Sequence, residues 1–95
     1  MTRLSAETIQ QKLSRLEGWS LTGEAISKKY TCPSFSKAMA FVNQVADLAE
    51  QADHHPDILI NYRRVTLTLS THSEGGLTQK DFDLAEKIEK DWQVR

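Results

Sequence analysis

The chain lacks most of the features that announce a function by themselves. It holds one cysteine, Cys32, in 95 residues. A single thiol excludes an internal disulfide and a four-cysteine zinc site, and it leaves the redox compartment undetermined. An excess of one charge is also missing, with 12 Lys plus Arg against 13 Asp plus Glu and a formal net charge of -1. Such a balance exerts no long-range pull on nucleic acid or an anionic membrane. Arg63 and Arg64 form only a two-residue basic step, whereas a nucleic-acid surface needs a broader stripe. No run of 18 apolar residues occurs, so no membrane-spanning helix is expected. The opening "MTRLSAETIQQKLSRLEGW" has no continuous apolar stretch, so a secretory signal is not expected and a cytoplasmic location is. "SEGG" lacks the GxxxxGK[ST] pattern of a phosphate-binding loop. Repeats, linkers and low-complexity segments are absent, so residues 1–95 are expected to form one domain. A core of that size leaves little spare stability, which oligomerisation would supplement.

What is present is regular patterning. Ser5 suits the N-cap of a first helix with Ile9, Leu13 and Leu16 along one stripe, ending by Gly18. Trp19 to Leu21 reads as a short strand and "LTGEA" as a turn. In "AISKKYTC", Ile26, Lys28, Tyr30 and Cys32 alternate onto one side; the lysine among them suggests an exposed sheet face. Pro33 stops that strand, and Ser34 caps the longest helix. There Phe35, Ala38, Val42, Val45, Ala49 and Ala52 recur at spacings of three and four until Asp53. "DILINY" reads as strand. "RRVTLTLSTH" places Val65, Leu67 and Leu69 on one side and Thr66, Thr68 and Ser70 on the other, with His72 at its end. A last helix opens with the capping box Thr78-x-x-Asp81, flanked by Leu77 and Phe82 at the hydrophobic-staple positions. The order predicts an α+β fold: a four-stranded antiparallel sheet with three helices mainly on one face.

Only three histidines occur, and two are adjacent: His54 and His55, in "ADHHPDILINY". An imidazole can take or give a proton near pH 7. Adjacent residues in a loop point in different directions, so this pair could line two walls of one cleft. Pro56 biases His55 to extended geometry and holds its ring in place. A polar helix exit or a metal site are the other readings. Three imidazoles can hold zinc, but no spacing ties His72 to the pair, and no HExxH or cysteine ligand set exists. His72, before a Gly-Gly loop, could line an open mouth or simply end a strand. Asp81 needs no role beyond its cap, yet a carboxylate pinned there could also orient a histidine, with His72 the expected partner.

Taken together, "HHPD", "VTLTLSTH", "EGGLT" and "KDFDLA" resemble the pterin-4a-carbinolamine dehydratases. Upstream, "ISKKYTCPSFSKAMAFVNQVADLAE" and Trp19 are similar to that family's first strands and long helix, so the likeness runs from Leu16 to Ile88. The resemblance implies loss of water from a 4a-hydroxytetrahydropterin to give a quinonoid dihydropterin, in recycling of the pterin used by aromatic amino-acid hydroxylases. It implies a homodimer or homotetramer and no metal or organic cofactor. Carried over, His54, His55, His72 and Asp81 correspond to the catalytic set, with His55, Pro56, Ser70 and Thr71 expected to touch the pterin. His54 and His72 are expected to carry the proton transfer and His55 to orient the ring. A pterin-binding or dimerisation module with little catalysis is the competing reading. The chain departs from the commoner family pattern at Ile58, where animal members carry tryptophan, at Cys32, where phenylalanine is common, and at "YRRV", where an Asn-containing turn is frequent.

Overall fold

The computed structural model describes residues 2–93. Ser5, in extended conformation, accepts from the Thr8 backbone N–H and starts α1, Ala6–Leu13. Ile9 and Leu13 turn toward the core, but no residue of this helix is fully buried. The helix stops earlier than its apolar stripe, and Leu16 reaches the core from the turns that follow. Strands β1 (Ser20–Thr22) and β2 (Ala25–Thr31) form a hairpin around Gly23. Ser34 then caps α2, Phe35–Ala52, through the Lys37 N–H. Strands β3 (Asp57–Asn61) and β4 (Arg64–Leu69) form the second hairpin, and α3 covers Gln79–Gln93.

The sheet is wholly antiparallel, in the order β1-β2-β4-β3. Three helices pack on one side of it. The register places Ile26 opposite Leu69 and Tyr30 opposite Val65, so the alternating apolar residues of β2 and β4 meet on the helix side. Val65, Leu67 and Leu69 have no exposed surface there, and Ala38, Phe41 and Val45 of α2 with Phe82, Ala85 and Ile88 of α3 close over them. Each such large side chain contributes about 1.5–3 kcal/mol by burial. Tyr30, Phe41 and Trp92 pack ring against ring, with Tyr30 4.8 Å from each of the other two centroids. The other face carries Ser27, Lys29, Thr66 and Thr68, in register across β2 and β4.

Two expectations are corrected here. Lys28 does share a face with Ile26, Tyr30 and Cys32, but that face is the covered one. Lys28 is tolerated because its ammonium reaches Glu89 Oε1 at 2.6 Å and the Glu17 carbonyl at 2.9 Å. It crosses Gly18, whose φ of 83° suits glycine and where a Cβ would meet the lysine Cε at 2.8 Å. Glu89 Oε1 also accepts from Trp19 Nε1 at 3.2 Å and from the Tyr30 hydroxyl. Burial, and then this bond to Glu89, push the Tyr30 phenol well above its ordinary value. The second correction concerns β4, which ends at Leu69 rather than running through His72. Beyond it, Thr71 bridges to Gly76, and the segment between them folds into a 3-10 turn, His72–Glu74. Gly75 closes that turn with a φ of 71°.

The unusual turn "YRRV" keeps its register, Asn61 opposite Arg64, at the cost of a φ of 56° at Tyr62. Beyond Thr31, Cys32 still donates its N–H to the Arg63 carbonyl at 2.8 Å, so Pro33 ends the strand one residue after its last ladder bond.

Candidate active site

The histidine pair is placed by the way α2 stops. Asp53 adopts the left-handed conformation, φ 49° and ψ 43°. Its N–H donates to the Glu50 carbonyl at 3.2 Å, and the His54 N–H donates to the Ala49 carbonyl at 3.1 Å. These two bonds constitute a Schellman motif, which satisfies carbonyls that the end of a helix leaves open. His54 is thus fixed by the backbone of the helix it follows. Pro56 then leads the chain into β3.

The two imidazoles take different partners. His54 is largely buried, and its Nε2 lies 2.6 Å from Asp81 Oδ1. His55 is half exposed and meets Glu50 at 2.5 Å, through its Nε2. Exposure on both sides limits the second pair to a weak contribution. Glu50 had no assigned role from the sequence; the signal for it is an acidic residue on the last turn of a helix that ends at a histidine pair.

Asp81 is completely buried. Its Oδ2 accepts from the Thr78 N–H at 2.9 Å, completing the capping box, and from the Thr71 hydroxyl at 2.8 Å. Thr78 Oγ1 accepts from the Lys80 N–H at 3.3 Å. Leu77 and Phe82, at the staple positions, both lie in the core. The carboxylate therefore does both things the spacing allowed: it caps α3 and holds a histidine. The histidine is His54, however, and not His72. The reason is geometric: β4 leaves the sheet before His72, and the 3-10 turn carries that ring outward, whereas the Schellman turn drives His54 inward over the start of α3.

All three histidines line one cavity of about 300 Å³, together with Ser70 and Thr71 and with Asp53 and Lys80 among the other residues around it. A neighbouring cavity of about 320 Å³ shares His55, Ser70 and His72 and extends past Thr68 to Glu24 and Asp57. Sharing those three residues, the two parts make up a cleft, each part at the small end of the range for ligand sites. Ser70 lines both parts while its hydroxyl donates to the Glu24 carbonyl at 2.8 Å. Pro56 lines neither part, so it shapes the approach of His55 instead of facing the cleft. Ile58 also lies outside both linings, on the edge strand. Glu24, Asp53 and Lys80 are cleft residues that the sequence did not single out. Among the described residues, no three His, Cys, Asp or Glu side chains converge as a metal-ligand group.

With this geometry in hand, comparison with known proteins is decisive. The family model "Pterin 4 alpha carbinolamine dehydratase" matches residues 2–90. The chain belongs to the pterin-4a-carbinolamine dehydratase family. A Roseiflexus sp. (strain RS-1) protein provisionally named as such a dehydratase is 56% identical over 89 residues, covering 94% of this chain and 96% of that protein. A similarly named Sulfolobus acidocaldarius protein is 43% identical over 88 residues, covering 93% and 97%. Among solved structures, the transcriptional coactivator/pterin dehydratase from Brucella melitensis superposes with a TM-score of 0.90 at 38% identity, covering 94% of this dehydratase-family chain and 97% of that one. A pterin dehydratase-like RuBisCO assembly factor of the alpha-carboxysome shares the fold, with a TM-score of 0.68 at 22% identity over 78% of this chain and 88% of its own.

Proposed function

We propose that this chain removes water from a 4a-hydroxytetrahydropterin, giving a quinonoid dihydropterin, by acid–base catalysis in the three-histidine cleft. Dehydration in pterin metabolism is the general function of its family. The observation that carries the specific reading is the convergence of His54, His55 and His72 on one cavity with Asp81 behind His54.

The reaction suits those groups. A ring nitrogen of the carbinolamine can expel the 4a-hydroxyl. One proton must reach that hydroxyl as it leaves as water, and one must leave the ring nitrogen system. No nucleophile is required, and imidazoles on different walls can serve the two transfers. His54, backed by a buried carboxylate, and His72, carried into the mouth by its turn, are assigned the proton transfers. His55, tied to Glu50 at the rim, is assigned to orienting the pterin. Ser70 borders both parts of the cleft and suits contact with the substrate.

The test is the rate of loss of a 4a-hydroxytetrahydropterin, generated in situ by an aromatic amino-acid hydroxylase. Acceleration that survives a chelator is expected. A rate on folded protein equal to the uncatalysed one would overturn the enzymatic reading and favour a pterin-binding or dimerisation module. A chelator-sensitive rate restored by zinc would replace the imidazole mechanism with a metal one. Sedimentation of the same preparation tests the expected dimer or tetramer.

A further inference from the structure

We propose that Thr71 is a positioning residue, which by holding Asp81 fixes the His54 tautomer and leaves Nδ1 as the ring atom that exchanges a proton with the substrate. The inference deepens the dehydratase reading of the cleft and rests on it for its kinetic part only.

The argument follows from counting hydrogens. An ionised carboxylate only accepts, and a threonine hydroxyl has one proton to give. Thr71 gives its proton to Asp81 Oδ2, at 2.8 Å. The 2.9 Å contact between the Thr71 and Thr78 hydroxyls must then have Thr78 as donor. Thr78 Oγ1 in turn accepts from the Lys80 backbone N–H at 3.3 Å. The protons are therefore ordered in one direction, from the first turn of α3 through two hydroxyls to the carboxylate. With the Thr78 N–H also on Oδ2, that oxygen is held from two sides, and only Oδ1 is left for His54.

Facing Oδ1 at 2.6 Å, the Nε2 of His54 must carry hydrogen. The neutral ring is then the Nε2–H tautomer, and the lone pair sits on Nδ1. The partner of one ring nitrogen sets the state of the other. Nε2 is occupied, so Nδ1 is the atom available to a molecule in the cavity that His54 lines.

Thr71 was expected to touch the pterin. It borders the cavity, but it is 8% exposed and its only hydroxyl proton points inward. Its backbone meanwhile ties the turn that carries His72, donating to Gly76 at 2.9 Å and accepting from Glu74 at 3.0 Å. One residue thus registers both proton-transfer histidines, one through its side chain and one through its main chain. Valine has the same shape without the hydroxyl, so Thr71→Val separates these two jobs.

Steady-state kinetics of Thr71→Val and Thr71→Ser, with 15N NMR of the parent's histidine rings, test the proposal. Thr71→Val is expected to lower kcat at least about tenfold with KM within about twofold, and Thr71→Ser to return kcat to within about threefold of the parent. The parent's His54 signal, identified by its loss in His54→Gln, is expected to show the Nε2–H tautomer. A raised KM at unchanged kcat would return Thr71 to substrate contact. Equal loss in the Val and Ser variants would make its role structural. An Nδ1–H tautomer in the parent would overturn the proposal without any variant needing to fold. The NMR arm needs no turnover, so an inactive parent with the expected tautomer would sink the dehydratase reading and leave the ring assignment standing.

Discussion

His54 and Asp81 lie 27 residues apart in the chain and 2.6 Å apart in the fold, Nε2 to Oδ1. The contact joins the stop of one helix to the start of another. Asp81→Asn keeps the shape and replaces one acceptor oxygen by an amide donor. Turnover is expected to fall at least about tenfold, or about 1.4 kcal/mol of barrier. Thr78→Ala removes the cap hydroxyl but leaves the Thr71 hydroxyl and the residue-78 N–H on Oδ2, so it is expected to cost roughly 0.5–2 kcal/mol of stability, with turnover near the parent's below its melting range. Kinetics and thermal melts of the pair decide: activity that merely tracks stability in both would reduce Asp81 to a helix cap.

The histidines are expected to separate kinetically. Acid or base catalysis by one side chain is worth about 100- to 10,000-fold, so His54→Ala and His72→Ala should act mainly on kcat. His55→Ala should act mainly on KM, since its ring is at the rim beside Glu50. Equal, small losses in all three would contradict this division.

Tyr30 offers a test in pH. Burial, and then its bond to Glu89, raise the phenol above its ordinary value near 10.0 in the fold. Above that pH the unfolded chain releases the proton while the folded chain keeps it. The contribution is therefore whole below about pH 10 and is lost as pH rises further. Tyr30→Phe should flatten the alkaline fall in Tm between about pH 9.5 and 11.5. An unchanged alkaline slope would show that the phenol is not the group responsible.

Lys28 is the test of the covered polar cluster. Lys28→Met removes one donor from a largely buried carboxylate and leaves Trp19 and Tyr30 to satisfy it. A loss of roughly 1–3 kcal/mol is expected, against less than about 0.5 kcal/mol for the exposed Lys90→Met. Chemical denaturation of both variants measures the difference, and equal stabilities would mean the Lys28–Glu89 pair contributes nothing net.

Much of this was legible in the sequence because local chemistry and tertiary need agreed. Ser5, Ser34 and the Thr78–Asp81 box cap the helices they suggest, and the Val65–Leu67–Leu69 alternation faces the core as its period requires. The failures occur where a side chain answers a distant partner. Lys28 looked like an exposed-face residue because Glu89, 61 positions away, is invisible to periodicity. His72 looked like a strand end because the Thr71–Gly76 bridge that curls it away is a contact between backbones. The Asp81–His54 contact is hidden from the sequence for the same reason, and the Glu50–His55 contact because it reaches across a helix end that periodicity does not describe.

The Schellman turn at Asp53 has a consequence for chain length. Both rings of the pair take their aim from hydrogen bonds that count residues: five from Ala49 to His54, three from Glu50 to Asp53. One residue inserted or deleted between Glu50 and His55 would rotate the mounts of both imidazoles, however well the new residue suited a loop. The β1–β2 connection also counts residues: Gly23 and Glu24 alone join Thr22 to its partner Ala25, and the Glu24 carbonyl accepts from Ser70 at the cleft at 2.8 Å. Length changes in this fold are therefore expected to be refused at both places, although both look like short surface turns.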